Sequence, residues 1–136
     1  MPTRFDAYAA ALEADVLLAA GETSESIWRH CILQLLDDYT SQARFNGTTA
    51  AASLFDREPP RTQFAGVDAA LAALAEFLSR RDGWPLPRWA HKPNRYCREW
   101  WFVSSLRGMH ATALQESPPS FRTRGVFITA GALSRV

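Results

Sequence analysis

Four large apolar side chains stand in a row at Trp100, Trp101, Phe102 and Val103. A helix would point them in four directions, and a strand would alternate them between two faces. Neither shape buries all four against one core. The fold must cover this run from two sides or leave part of it in water. Alternation sends Trp100 and Phe102 one way and Trp101 and Val103 the other. One pair is expected to pack on a core helix and the other to face outward.

The rest of the chain sets how much interior is available. Its 136 residues fit one domain, long enough for a core without disulfide or metal staples. A hydrophobic share of 47% against 21% charged is a globular balance, not a disordered one. No apolar run approaches the roughly 20 residues of a membrane span. The opening MPTRFDAYAAALEAD carries acids and no uninterrupted apolar stretch, so it does not read as a signal peptide. Cys31 and Cys97 stand far apart in no paired motif, which points to a reduced, cytoplasmic protein.

Helical periodicity dominates. Phe5, Tyr8, Leu12, Val16 and Ala19 recur at spacings of three and four, predicting a helix over 3–20 with Thr3 as cap and Gly21 as stop. Trp28, Cys31, Ile32, Leu35, Leu36 and Tyr39 form the stripe of a second helix over 24–45, and TTAAASLF suggests a short third. The segment DREPPRTQFAG interrupts regular structure and marks a candidate hinge. The clearest helix is 67–82, VDAALAALAEFLSRRD, closed by Gly83 with Arg80 and Arg81 in its last turn. Three prolines keep WPLPRWAHKPNRY from forming a long helix. A helix over 105–116, a two-turn helix in SPPSFRTRG, a very short strand in VFIT and a last turn in AGALSRV complete the expectation. The fold class is mostly α: a single compact helical domain of about five to seven helices, with at most one very short strand near the C-terminus.

Charge divides the chain. Residues 1–58 carry four Arg and nine Asp or Glu, a net −5, and residues 59–136 carry eleven Arg or Lys and five acids, a net +6. An acidic helical half and a basic, aromatic-rich half therefore share one domain. The polarity either steers a charged partner or draws the two halves together.

No motif encodes catalysis. His30, His91 and His110 lie in no zinc pattern, and no phosphate-binding or dinucleotide-binding loop is present. Neighbours His30 and Cys31 point to different helix faces, and Cys97 lacks a clear base. The adjacent acids Asp37 and Asp38 read as a solvated helix face. The expectation is a non-enzyme with no cofactor and no metal. The chemistry-bearing stretch is 84–107, where Trp84, Trp89, Arg95, Arg98, Trp100, Trp101, Phe102 and Arg107 interleave rings with guanidinium groups. Such residues dominate protein interfaces. They also stack bases and draw phosphates, or serve as core rings overlaid by arginines.

The stretch VDAALAALAEFLSRRDGWPLPRWA, then WWFV, then ALQESPPSFRTRGVFITAGAL, resembles the C-terminal region of small actinobacterial proteins encoded beside AbiEii-like nucleotidyltransferase toxins. The resemblance spans about residues 54–136, including LFDREPP. It implies an antitoxin that binds and masks its toxin, with the eight residues above as partner-binding candidates. Many such relatives carry an N-terminal helix-turn-helix, whereas here the first 50 residues form an acidic helical pair without that turn. The alternative is a nucleic-acid-binding transcriptional regulator using the same segment; a protein partner is favoured and a membrane is not.

Overall fold

The computed structural model describes residues 4–134. Its axis is the helix α5, Ala65–Asp82. Ala69 to Ala75 are all fully buried. A helix apolar on every side needs neighbours all round, and α5 has them. α1 (Ala7–Ala19), α7 (Pro119–Arg122) and the 3-10 turns Arg88–His91 and Pro93–Arg95 all pack on it. Gly83 ends α5 in the left-handed conformation at φ +81°, its N–H returning to the Ser79 carbonyl. That is the stop the sequence calls for.

The second helical stretch also forms, but it is not uniform. α2 (Ser24–Ile27), capped by Thr23, passes through a π-helical turn, Trp28–Leu33, into α3 (Gln34–Asn46). The predicted stripe from Trp28 to Tyr39 faces the core. α4 (Thr48–Ala52) and a 3-10 turn, Ser53–Phe55, follow. After residue 55 the chain leaves regular structure, as the prolines require. It is nevertheless tied down: Thr62 N–H donates to Asp68 at 2.8 Å, and Gln63 N–H to Asp15 at 2.8 Å. One continuous core runs from Ala7 to Ile128, so both charge halves share it.

α1 corrects the sequence expectation. Its cap is Asp6, which accepts from Ala9 N–H at 2.9 Å; Thr3 lies outside the described residues. Its buried face is Ala7, Ala10, Ala11 and Ala14, while Leu12 and Val16 are 49% and 61% exposed. The small face lets α1 approach α5 and the π-turn closely, and close packing decides which stripe turns inward. Ala14→Leu should therefore overpack the interface and cost about 1–3 kcal/mol. Leu12→Gln and Val16→Gln should change stability by about 0.5 kcal/mol or less. Urea denaturation separates these cases, and equal losses at Ala14 and Leu12 would contradict this packing.

The C-terminal part is short elements held by side chains. α6 is His110–Glu116, preceded by a 3-10 turn at Arg107–Met109, so the predicted 105–116 helix starts later, beyond Gly108. The helix in SPPSFRTRG is the single turn α7. The short strand in VFIT is β2 (Val126–Phe127), and its parallel partner β1 is Trp101–Phe102, within the aromatic run. A 3-10 turn at Ala130–Leu133 follows; the last residues of the predicted AGALSRV turn, 135 and 136, lie outside the described residues. Among the described residues no helix is long and apolar enough to cross a membrane.

Candidate docking surface

The strand pairing decides how the aromatic run is covered. Trp101 N–H donates to Gly125 O at 2.8 Å and Val103 N–H to Phe127 O at 3.1 Å. Alternation then turns the Trp101 and Val103 side chains inward, where both are buried. Trp101 packs edge-on against Phe64 at 4.8 Å and Trp28 at 5.9 Å. Its ring covers Gly66 at the start of α5, where an added Cβ would lie 2.7 Å away. Trp100 and Phe102 face the other way. Phe102 is half-buried between Phe127 at 5.0 Å and His110 at 4.2 Å, both near-parallel to it. Trp100 leans on Phe127 at 4.8 Å and remains 63% exposed.

Of the eight residues singled out in the sequence, four are structural. Trp84 is buried, stacked on Phe55, and its Nε1 donates to the Tyr39 hydroxyl at 2.7 Å. Trp89 is buried and donates to Phe55 O at 2.8 Å. Arg95 is buried over the Trp89 ring; it donates to Pro59 O at 2.5 Å and to Asp68 O at 3.4 Å. Trp101 is core as described. These four correct the expectation of a partner-binding role. The irregular backbone near Phe55 and Pro59 leaves carbonyls that Trp89 and Arg95 reach as long donors, Trp84 is satisfied by the Tyr39 hydroxyl, and Trp101 is held by ring packing, its Nε1 having no partner among the described residues.

The other four lie at the surface, with Trp100 and Phe102 in contact at 6.4 Å between ring centroids. Arg98, Trp100 and Arg107 are exposed, and Phe102 is partly so. The structure adds residues that sequence reasoning missed. Leu106 is 65% exposed, and Met109 and Leu114 are exposed beyond it. Their spacings of three and five would have placed them roughly along one side of the predicted 105–116 helix. These exposed apolar side chains of residues 100–114, the Trp100 ridge, share the stretch with exposed Arg107, and Arg98 and the acid Glu99 are exposed just before it. Burial of Arg95 and the pairing of Lys92 with Glu58 at 2.7 Å thin the basic character expected of this segment.

Neither thiol is poised to react. Burial, with the nearby Asp68 charge, pushes Cys97 up to about 11, and burial with Glu13 pushes Cys31 up to about 12. Cys97 also donates to Ala65 O at 3.5 Å. Both should alkylate in the folded protein at least about 100-fold more slowly than free cysteine near pH 7.5. Rapid labelling of Cys97 with iodoacetamide would contradict this. Among the described residues no three His, Cys, Asp or Glu side chains are grouped to hold a metal ion. No family model, curated protein or solved structure matches the chain.

Proposed function

We propose that the chain is a non-enzymatic interaction protein that docks on a protein partner through the Trp100 ridge, and that the partner is a nucleotidyltransferase-type toxin which it masks as antitoxin. The observation that carries the docking is Trp100 itself. Its ring is held by Phe127 and Phe102, at 4.8 and 6.4 Å, yet left largely in water. A rigid exposed tryptophan beside arginines is the composition of an interface hot spot. Leu106, Met109 and Leu114, within 14 residues of it in the chain, add further exposed apolar side chains, and exposed apolar surface of this kind marks partner sites. The choice of partner rests on the sequence resemblance and on charge. A nucleotidyltransferase cleft carries metal-binding carboxylates, and Arg98 and Arg107 suit such a cleft.

Docking on protein is favoured over nucleic acid because Trp84, Trp89 and Trp101 have no face free for a base, and Arg95 has none for a phosphate. The reading requires a nucleotidyltransferase gene beside this one. The test is stoichiometric inhibition of that purified enzyme by the chain. Trp100→Ala and Arg98→Ala should weaken inhibition, each by about tenfold or more. Full inhibition by both variants, or a salt-sensitive and sequence-selective complex with its own promoter, would defeat the reading.

A further inference from the structure

Beside the ridge lies a groove at the end where both strands exit. Because β1 and β2 run parallel, their continuations Val103-Ser104 and Ile128-Thr129 reach the same end and form one wall. The π-helical turn supplies another wall through Trp28 and Leu33, and α6 a third through His110 and Ala113. Gly131 and Ala132 complete the rim of this solvent-open groove, whose volume is about 200 Å³. A π-turn inside a helix is rare and recurs at functional sites; this one faces the groove.

The chemistry of the lining is selective. Its floor is apolar. Along one side His110, Phe102 and Phe127 form a pile of near-parallel rings, tilted by 15° and 21° from one to the next. The stacking takes up the facing sides of these rings, so a flat ligand beside the pile meets ring edges, the edge-to-face arrangement that aromatic pairs favour. The polar groups are already partly used: Trp28 Nε1 donates to Ala132 O at 3.1 Å, and His110 Nε2 lies 3.3 Å from Ser104 O. Glu25 stands at the rim. One of its carboxylate oxygens accepts from Ser105 N–H at 3.2 Å, and the carboxylate lines the groove beside Arg29, where it is an acceptor for a ligand N–H. About 150 Å³ of apolar cavity is enough for benzene, so this volume suits one ring or two fused rings.

We propose that the groove binds a small planar nitrogen heteroaromatic, of the size of indole or a nucleobase. Its ring lies against the His110–Phe102 wall and its N–H donates to Glu25. The site shares Phe102 and Met109 with the ridge but does not rest on the docking reading and survives its failure.

The full chain is titrated with indole, adenine and toluene, and amide shifts are followed in wild type, Glu25→Gln and Gly131→Leu. A Cβ at Gly131, on the rim of the groove, meets nothing within 4 Å and its φ is not positive, so leucine adds bulk at the mouth without straining the backbone. Indole or adenine is expected to give saturable shifts confined to the groove, at Val103, Ala113 and Ile128. The tighter of the two identifies the ligand as indolic or as a nucleobase. Gly131→Leu should weaken the binding, and Glu25→Gln should weaken it by about threefold to tenfold with the native spectrum retained. Absence of saturable shifts in wild type, undiminished binding in Gly131→Leu, or toluene binding as tightly as indole would overturn the proposal.

Discussion

Trp101→Ala should lose about 3–5 kcal/mol of stability and lower the melting temperature by about 10 °C or more. Trp100→Ala, one residue away, should lose about 1 kcal/mol or less, the worth of its ring contact with Phe127. The two side chains have the same size and stand next to each other in sequence. What differs is which side of the strand they occupy. Removing Trp101 opens a cavity between Phe64, Trp28 and the start of α5, and the chain has little to fill it. Removing Trp100 leaves water where water already was. The same pair should divide function in the opposite sense, with Trp100→Ala folding normally and failing to inhibit the partner. Thermal melts of the two variants decide the matter. If both unfold alike, the ridge is core and the docking proposal loses its anchor.

This split was legible in the sequence only as a pair of alternatives. Period-two alternation placed Trp100 with Phe102 and Trp101 with Val103. It did not say which pair was inside, because that depends on β2, some 25 residues later, and on Gly66. α5 was legible in its existence and its end at Gly83, but the expected helix over 67–82 begins two residues earlier and is buried beyond a single apolar stripe, at Ala69, Ala72, Ala73 and Ala75 as well. α1 was not. Two stripes at helical spacing compete there, and the bulkier one is the more hydrophobic. The structure buries the alanine stripe, a choice made by the alanine-rich surface of α5 and invisible in α1 alone. The candidate site was half legible for a related reason. An arginine or tryptophan in an irregular segment looks alike whether it serves a partner or its own backbone. The acceptors that settle the question for Trp84 and Trp89, Tyr39 and Phe55, stand 45 and 34 residues earlier.

Arg124→Ala should cost about 3–5 kcal/mol, the loss typical of breaking a buried charge pair on one side. Arg124 is fully buried beneath the Tyr96 ring. Its guanidinium donates to Glu76 at 2.7 Å, to Ser120 O at 3.0 Å and to Ala90 O at 3.0 Å, joining α5, α7 and the 88–91 turn. Alanine leaves one carboxylate and two carbonyls without that donor. Arg124→Lys should recover only part of the loss, because a point charge cannot span the carboxylate and both carbonyls. The pH dependence separates this account from simple loss of packing. Burial alone would raise the Glu76 carboxyl, but the hydrogen bond and charge of Arg124, with help from Arg80, outweigh it and hold the carboxyl below its ordinary 4.5. A carboxylate lowered in the folded state contributes stability that is complete above its unfolded value and lost as pH falls through its folded value. Without Arg124 the burial effect is left opposed only by Arg80, at 3.5 Å on the exposed side. Protonation then ceases to penalise the fold and begins to relieve it. The stability gap between wild type and Arg124→Ala, measured by urea denaturation, should therefore be widest near pH 7 and shrink below 4.5. A gap that persists unchanged into that acidic range would assign Arg124 to packing and not to the ion pair.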